Sequence, residues 1–281
     1  MSTFSKIAAL QINGQAQWSR NKPQIERLVR DAAMLGAQVV VMPENLYAMP
    51  ADPGALLSMG FDAGDEPMAW LQQLARRHGV WLVAGTMPIR VAATDGLGSG
   101  KLHARSFVID DSGAIRAHYD KIHLFDVTVP ALSESRQESY RESDLFVAGD
   151  VPVVVDTPVG PLGMAICFDL RFPELFRRLV DLGATWVCLP AAFTEATGRA
   201  HWEPLIRARA IENQIYMVAS AQVGRHASGR QTYGHSMVVD PWGQILANAN
   251  TVADTLITAE IDHQTQRHVR SQFPVLELRR L

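Results

Sequence analysis

Apolar and polar positions along this chain follow two periods that keep alternating. Short, almost continuous apolar runs have the length and β-branched content of buried strands: SKIAALQI, QVVVMPE, VWLVAGTMPIR, TWVCLPAAF and YMVASAQVG. Between them the spacing changes to that of helices. In NKPQIERLVRDAAMLGA, residues Ile25, Leu28, Val29, Ala32 and Ala33 fall on one face, and Gly36 is a stop. In EPMAWLQQLARRHGV, Trp70, Leu71, Leu74 and Ala75 do the same, with Gly79 as the C-terminal signal. PELFRRLVDLGA and HWEPLIRARAIENQI read as two further helices. Hairpins are predicted around Asp111-Ser112-Gly113 and Asp240-Pro241-Trp242-Gly243, and a pair of strands turning at Pro158-Val159-Gly160-Pro161. Hairpins mixed with βα units predict an α/β layered fold. No Ser/Gly linker or internal repeat divides the chain, so residues 1–281 read as a single domain.

The least regular stretch runs from about Leu124 to Asp150, polar and rich in Ser and Glu. Long ordered loops in compact domains tend to carry function; the alternative is a surface insertion. With 281 residues and 47% apolar content, the chain can bury a large core. A net charge of -3 gives no electrostatic case for nucleic acid or an anionic membrane. No run approaches the ~20 apolar residues of a membrane helix, and the start reads as a first strand rather than a signal peptide. The two cysteines, Cys167 and Cys188, make no disulfide framework and suit a reducing, cytoplasmic compartment. The nine histidines are scattered, so neither metal nor cofactor is expected.

Three charged or nucleophilic residues each stand directly after a strand-like run: Glu44 in VVVMPENLY, Lys121 in AHYDKIHLFD and Cys167 in GMAICFDLRFPE. Singly, each has a plain structural reading. Glu44 could cap a helix, Lys121 could be a solvated surface residue, and Cys167 could be a small buried hydrophobe. Together they have a chemical one. A carboxylate takes the thiol proton, an ammonium stabilises a tetrahedral oxyanion, and the thiolate attacks a carbonyl. The turn after Cys167 is expected to expose the sulfur, with nearby N–H groups lowering its pKa.

With these three motifs in this order, the chain resembles the nitrilase superfamily, the carbon–nitrogen hydrolases, from KIAALQINGQ to GQILANAN. The resemblance implies a four-layer αββα sandwich with mixed sheets. It also implies subunits paired across a helical face into a homodimer or higher homo-oligomer; a C-terminal tail of about residues 264–281 is a candidate for the interface. It carries the roles of general base onto Glu44, of oxyanion stabiliser onto Lys121 and of nucleophile onto Cys167, with the Phe168 N–H beside Lys121. Ammonia would leave and water would cleave the thioester. A second glutamate of the family's site lies in the loop after the lysine. Glu134, Glu138 and Glu142 are candidates; counting from Lys121 favours Glu138, and counting back from Gly149-Asp150 favours Glu142, which is chosen.

The segments ATGRAHWEPLIRARAIENQIYMVASAQVGRH and YGHSMVVDPWG resemble the amidase branch, most closely the deaminated glutathione amidases. Omega-amidases acting on 2-oxoglutaramate or 2-oxosuccinamate, or a broader aliphatic amidase or nitrilase, are the alternatives. Such substrates carry carboxylates, so Arg171 is a candidate for substrate binding, weighed against an ion pair with Glu174 or Asp169. Phe168, Phe193 and Thr194 are further pocket candidates, and Arg225 and His226 weaker ones. Arg207, Arg209, Trp202, Trp242 and Cys188 read as structural or interfacial. A serine hydrolase is excluded by the lack of GxSxG. An inactive scaffold would need a broken triad, and an amide-transfer role would need an attached synthetase domain.

Overall fold

The computed structural model describes residues 4–92, 100–130 and 137–280. Its first half begins with β1 (Phe4–Ile12), α1 (Trp18–Met34), β2 (Val39–Val41), a single turn α2 (Leu56–Met59), α3 (Glu66–His78) and β3 (Trp81–Val83). The three strands are parallel, with Ile7 opposite Val39 and Val39 opposite Trp81. β4 (Met87–Arg90), β5 (Leu102–Ile109) and β6 (Ile115–Asp120) extend this sheet, β5 pairing antiparallel with β3, β4 and β6. A two-stranded ribbon, β7 (Asp126–Pro130) and β8 (Gln137–Arg141), stands apart from it.

The second half contains β9 (Val154–Val155), β10 (Leu162–Met164), α4 (Pro173–Asp181), β11 (Trp186–Ala191), α5 (Glu195–Asn213) and β12 (Tyr216–Arg225). Here β10, β11 and β12 are parallel. β13 (Gln231–Tyr233), β14 (Met237–Val239), β15 (Ile245–Asn248), β16 (Thr255–Asp262) and α6 (His263–Gln272) complete the fold.

The halves join where β1 meets β12, and only at their carboxyl ends: Gln11 opposite Ala221 and Ile12 opposite Gln222. Away from that joint β1 is flanked by β16 and β12 by β14, so one hydrogen-bonded network splays into two facing layers. Side chains fill the split. Ser220 Oγ and Ser236 Oγ both donate to the Leu10 carbonyl, at 2.5 and 3.1 Å, and Gln11 Oε1 accepts from the Ser236 N–H. Buried backbone groups left by the diverging ladders are thereby satisfied.

The strand period of two assigns the layers. Ile7, Ala9, Val39, Val41 and Val83 enter the core between the sheets, with Met164, Cys188, Val218 and Val238 from the opposite side. Their neighbours Ala8, Leu10, Val40 and Leu82 face outward onto Ile25, Leu28 and Val29 of α1 and Leu71 and Leu74 of α3. Both faces are buried, which explains unbroken apolar runs in place of alternation. With α4 and α5 on the outside of the second sheet, this is the four-layer αββα sandwich that the resemblance implies.

Several local expectations change. VWLVAGTMPIR is two strands, because the chain breaks at Gly85 (φ 35°). A Cβ there would lie 1.9 Å from the Pro43 carbonyl oxygen, so only glycine permits the close approach that seats the Glu44 turn. The fourth predicted helix starts earlier, at Glu195, because the Thr194 side chain caps it by accepting from the Thr197 N–H. The polar stretch after Leu124 contains the β7–β8 ribbon. The pattern reading has no counterpart for β16, although it pairs with β1 from Phe4 to Gln11. Trp202 is fully buried, whereas Trp242 is exposed. No helix among the described residues is long and apolar enough to cross a membrane.

Candidate active site

Glu44 lies three residues past β2, Lys121 directly after β6 and Cys167 three residues past β10. The two-layer fold brings these strand ends to one pocket of about 770 Å³, lined by Glu44, Lys121, Glu142 and Cys167 among others. Each residue is fixed by its own local device. The Glu44 carbonyl accepts from Gln222 Nε2 at 2.9 Å, and the next N–H, of Asn45, donates to Thr86 Oγ1 at 2.7 Å. Gly149 lies flat against Asp120 and donates to the Lys121 carbonyl at 2.9 Å.

Cys167 sits in the left-handed region (φ 46°) at the start of a 3-10 turn, Cys167–Arg171, which Pro173 and α4 follow. A non-glycine residue in that region is held there by its surroundings. The fully buried Asp169 supplies them. Its Oδ2 accepts from the Ile166 N–H and the Tyr119 hydroxyl, both at 2.8 Å. Its Oδ1 accepts from the His123 N–H at 3.1 Å and lies 2.7 Å from His123 Nδ1. One carboxylate thus ties the nucleophile turn to the residues on either side of Lys121. From outside, Arg209 Nε donates to the Leu170 carbonyl at 3.0 Å.

At the pocket floor, Lys121 Nζ donates to Glu44 Oε1 at 2.8 Å and to Glu142 Oε2 and Oε1 at 2.8 and 3.0 Å. Glu142 Oε2 also accepts from the Phe125 N–H at 2.6 Å. Glu44 Oε2 is buried with no hydrogen-bond partner. Burial alone would lower the lysine pKa; the Glu142 and Glu44 carboxylates outweigh it, and the ammonium is held well above its usual value. Burial raises the pKa of Glu142, with Lys121 opposing and Glu44 adding to the rise.

The sulfur differs from expectation. Cys167 is only 6% exposed, so the turn does not present it to solvent. Burial, reinforced by the Glu44 charge, pushes the thiol pKa up, against the opposing effects of Lys121 and the Ala192 N–H. Desolvation thus outweighs the nearby donors and favours the neutral thiol.

Of the three loop glutamates, Glu142 bonds Lys121, while Glu138 lies higher on the wall and accepts from the Tyr140 hydroxyl at 2.6 Å. Glu134 lies outside the described residues. Phe168, Phe193 and Thr194 line the pocket, as does Arg171. The alternative of an Arg171 ion pair with Glu174 or Asp169 is not found among the described residues. Instead the guanidinium lies 5.3 Å over the Phe193 ring and 5.7 Å over Phe168, with Nη1 3.2 Å from His201 Nδ1. Asp169 is committed elsewhere, and among the described residues no carboxylate pairs with Arg171. His226 is buried between the Gly14 carbonyl and Thr232 Oγ1 and does not line this pocket, whereas Arg225 does. Sequence reasoning did not single out Tyr140 and Arg230, which also line it. Their signal was weak: one sits in a polar ribbon, the other in a Ser-Gly-Arg turn. Among the described residues no three His, Cys, Asp or Glu side chains are grouped to hold a metal ion.

The carbon–nitrogen hydrolase family model matches residues 6–271. The chain is 40% identical over 274 residues to the deaminated glutathione amidase of Yersinia enterocolitica, covering 97% of this chain and 92% of that one. It is 38% identical over 275 residues to the Homo sapiens enzyme of the same name, covering 98% and 82%. Among solved structures, the Caenorhabditis elegans NitFhit protein matches with a TM-score of 0.88 at 36% identity, covering 99% of this chain and 65% of NitFhit. Saccharomyces cerevisiae Nit3, a member of branch 10 of the nitrilase superfamily, gives 0.86 at 28% identity, covering 100% and 98%.

Proposed function

Because the chain belongs to the carbon–nitrogen hydrolase family, we propose that this amidase cleaves the amide of deaminated glutathione through a Cys167 thioester. The observation that carries the proposal is the buried Glu44–Lys121–Glu142 cluster on the floor of the pocket that Cys167 lines. Relatives named for this activity, matched over nearly the full chain, support the substrate over the omega-amidase alternative.

A thiol that burial holds toward its neutral form suits proton loss concerted with attack. The proton leaves Cys167 only as sulfur attacks the amide carbon, and the unpartnered Glu44 Oε2 receives it. The carbonyl electron pair moves onto oxygen, where the Lys121 ammonium and the Phe168 N–H stabilise it. Glu142 holds the ammonium in place. As the tetrahedral adduct collapses, Glu44 returns the proton to the leaving nitrogen. In deaminated glutathione that amide is substituted, so the nitrogen leaves as the amine of cysteinylglycine; ammonia leaves only from primary amides such as 2-oxoglutaramate. Glu44 then takes a proton from water, hydroxide attacks the thioester, and 2-oxoglutarate departs with the thiol restored. The reading includes a homodimer in the cytoplasm, supported by the apolar Trp242, Phe273 and Leu278 left exposed on the single chain and by two buried free thiols.

The test is kcat/KM for deaminated glutathione, 2-oxoglutaramate and a simple aliphatic nitrile, read as acid product. Deaminated glutathione is expected to lead. A large preference for 2-oxoglutaramate replaces the reading by omega-amidase, and a preference for the nitrile overturns the amidase branch. Cys167→Ala is expected to abolish turnover while unfolding like the parent; near-normal turnover would end the thioester mechanism.

A further inference from the structure

Arg171 is one of several guanidiniums on this pocket. Arg225 and Arg230 reach it from the turn between β12 and β13. That turn is tightly held. The Gly229 N–H donates to the His226 carbonyl at 2.9 Å and the His226 N–H to the Arg230 carbonyl at 2.9 Å, while the buried His226 ring locks onto Gly14 and Thr232. Arg230 is half-buried in consequence. Its guanidinium donates to the Ala192 carbonyl and lies 5.2 Å over the Tyr140 ring, and its Nε is buried with no hydrogen-bond partner. Among the described residues no carboxylate pairs with Arg230 or Arg225. The Ala192 N–H favours the Cys167 thiolate, against the burial that raises its pKa, so the residue that anchors Arg230 also acts on the nucleophile.

A planar cation held in one orientation, partly dry and with spare donors, is suited to a carboxylate. The proposed substrate has two carboxylates, one on the acyl half and one on the leaving half. Guanidiniums reach the pocket from two different turns. Arg171 belongs to the nucleophile's own turn, between Phe168 and Phe193. Arg230 belongs to the turn before β13, beside exposed Ser228 and Gly229. Resting on the reading given above, we propose that Arg230 is a specificity-determining residue that binds the terminal carboxylate of the leaving cysteinylglycine half. The turn pays the ordering cost in advance, so the contact selects dipeptide-bearing amides over small primary ones.

The experiment compares Arg230→Met and Arg230→Lys with the parent on two substrates, deaminated glutathione and 2-oxoglutaramate, which lacks the leaving-half carboxylate. Both are read as 2-oxoglutarate released. For deaminated glutathione, Arg230→Met is expected to lower kcat/KM by about 30-fold, mainly through KM, and Arg230→Lys to restore part of it. For 2-oxoglutaramate the change is expected to stay within about threefold. The unmutated protein supplies an independent arm: deaminated glutathione with its glycine carboxylate converted to a carboxamide is expected to lose a similar factor, and Arg230→Met to cost this analogue little more. Equal losses on both substrates make Arg230 a structural or acyl-side residue and overturn the inference; so does an unchanged kcat/KM. If the parent itself does not hydrolyse deaminated glutathione, the underlying reading falls and takes the inference with it. If the parent is active but the substrates respond alike, only the inference falls.

Discussion

Glu44, Lys121 and Cys167 stand at strand ends and are nearly sealed from solvent, whereas Arg171, Tyr140 and Arg230 hang from turns and a ribbon and stay partly exposed. The floor is a coupled unit. One ammonium offsets part of the charge of two carboxylates, so their burial depends on it, and burial holds the thiol above them toward its neutral form. The rim is more loosely joined: Arg230 stacks on Tyr140, while Arg171 lies against Phe168, Phe193 and His201. Removing one residue from the floor should therefore damage both stability and rate, while removing one from the rim should change binding alone.

Lys121→Met presses this contrast hardest. Without the ammonium, Glu44 and Glu142 face each other in a buried site, and one must take a proton or draw in water. Turnover should fall by about 10³-fold or more, and denaturant unfolding should show a loss of about 3–5 kcal/mol. A variant as stable as the parent would mean that the floor is not a coupled unit.

Asp169→Asn tests the layer beneath. An amide cannot accept all four of the donors that the carboxylate now accepts, so either the Ile166–Tyr119 side or the His123 side must open. The side chain lies beneath the nucleophile turn rather than on the pocket wall, so KM should stay within about threefold while kcat drops by about 10–100-fold through misplacement of the sulfur. A parallel rise in KM would assign Asp169 to binding instead. On the rim, Arg171→Met should raise KM about tenfold for both 2-oxo acid amides and leave stability within about 0.5 kcal/mol. A large stability loss there would erase the difference between floor and rim.

The same contrast explains what could be read before the fold was known. Glu44, Lys121 and Cys167 could be singled out because their three motifs follow one another in order, although each residue alone has a plain structural reading. The β-branched runs around them also declared the two-sided burial of both sheets. Tyr140 and Arg230 were not legible. They lie in polar segments whose composition suits any surface loop, and only the tertiary approach of β12–β13 to the β7–β8 ribbon gives them a common wall. The low expected pKa at Cys167 failed for a related reason: the turn and its N–H donors are local, but the burial that overrides them comes from sheets distant in sequence. β16 escaped because TLITAEID mixes polar residues into a half-buried strand that only its long pairing with β1 stabilises.

Cys188 offers the mildest test, because it compares two buried thiols, one at the site and one away from it. It lies inside β11, fully buried, opposite Met164 in the register, and burial pushes its pKa up to about 12. A folded-state pKa above the unfolded value of about 8.5 gives stability that is complete below the lower pKa and lost as pH rises toward the upper one. By pH 10 the deficit from this one group should reach about 2 kcal/mol. Cys188→Ala should cost about 1–2 kcal/mol at pH 7 through lost packing, yet the two proteins should converge by pH 10, read from denaturant midpoints at several pH values. The alanine variant removes only the Cys188 part of the alkaline slope; Cys167, also raised, supplies its own part in both proteins and cancels in the difference. A constant gap from pH 7 to pH 10 would show that β11 opens locally and lets this thiol titrate as it does in the unfolded chain.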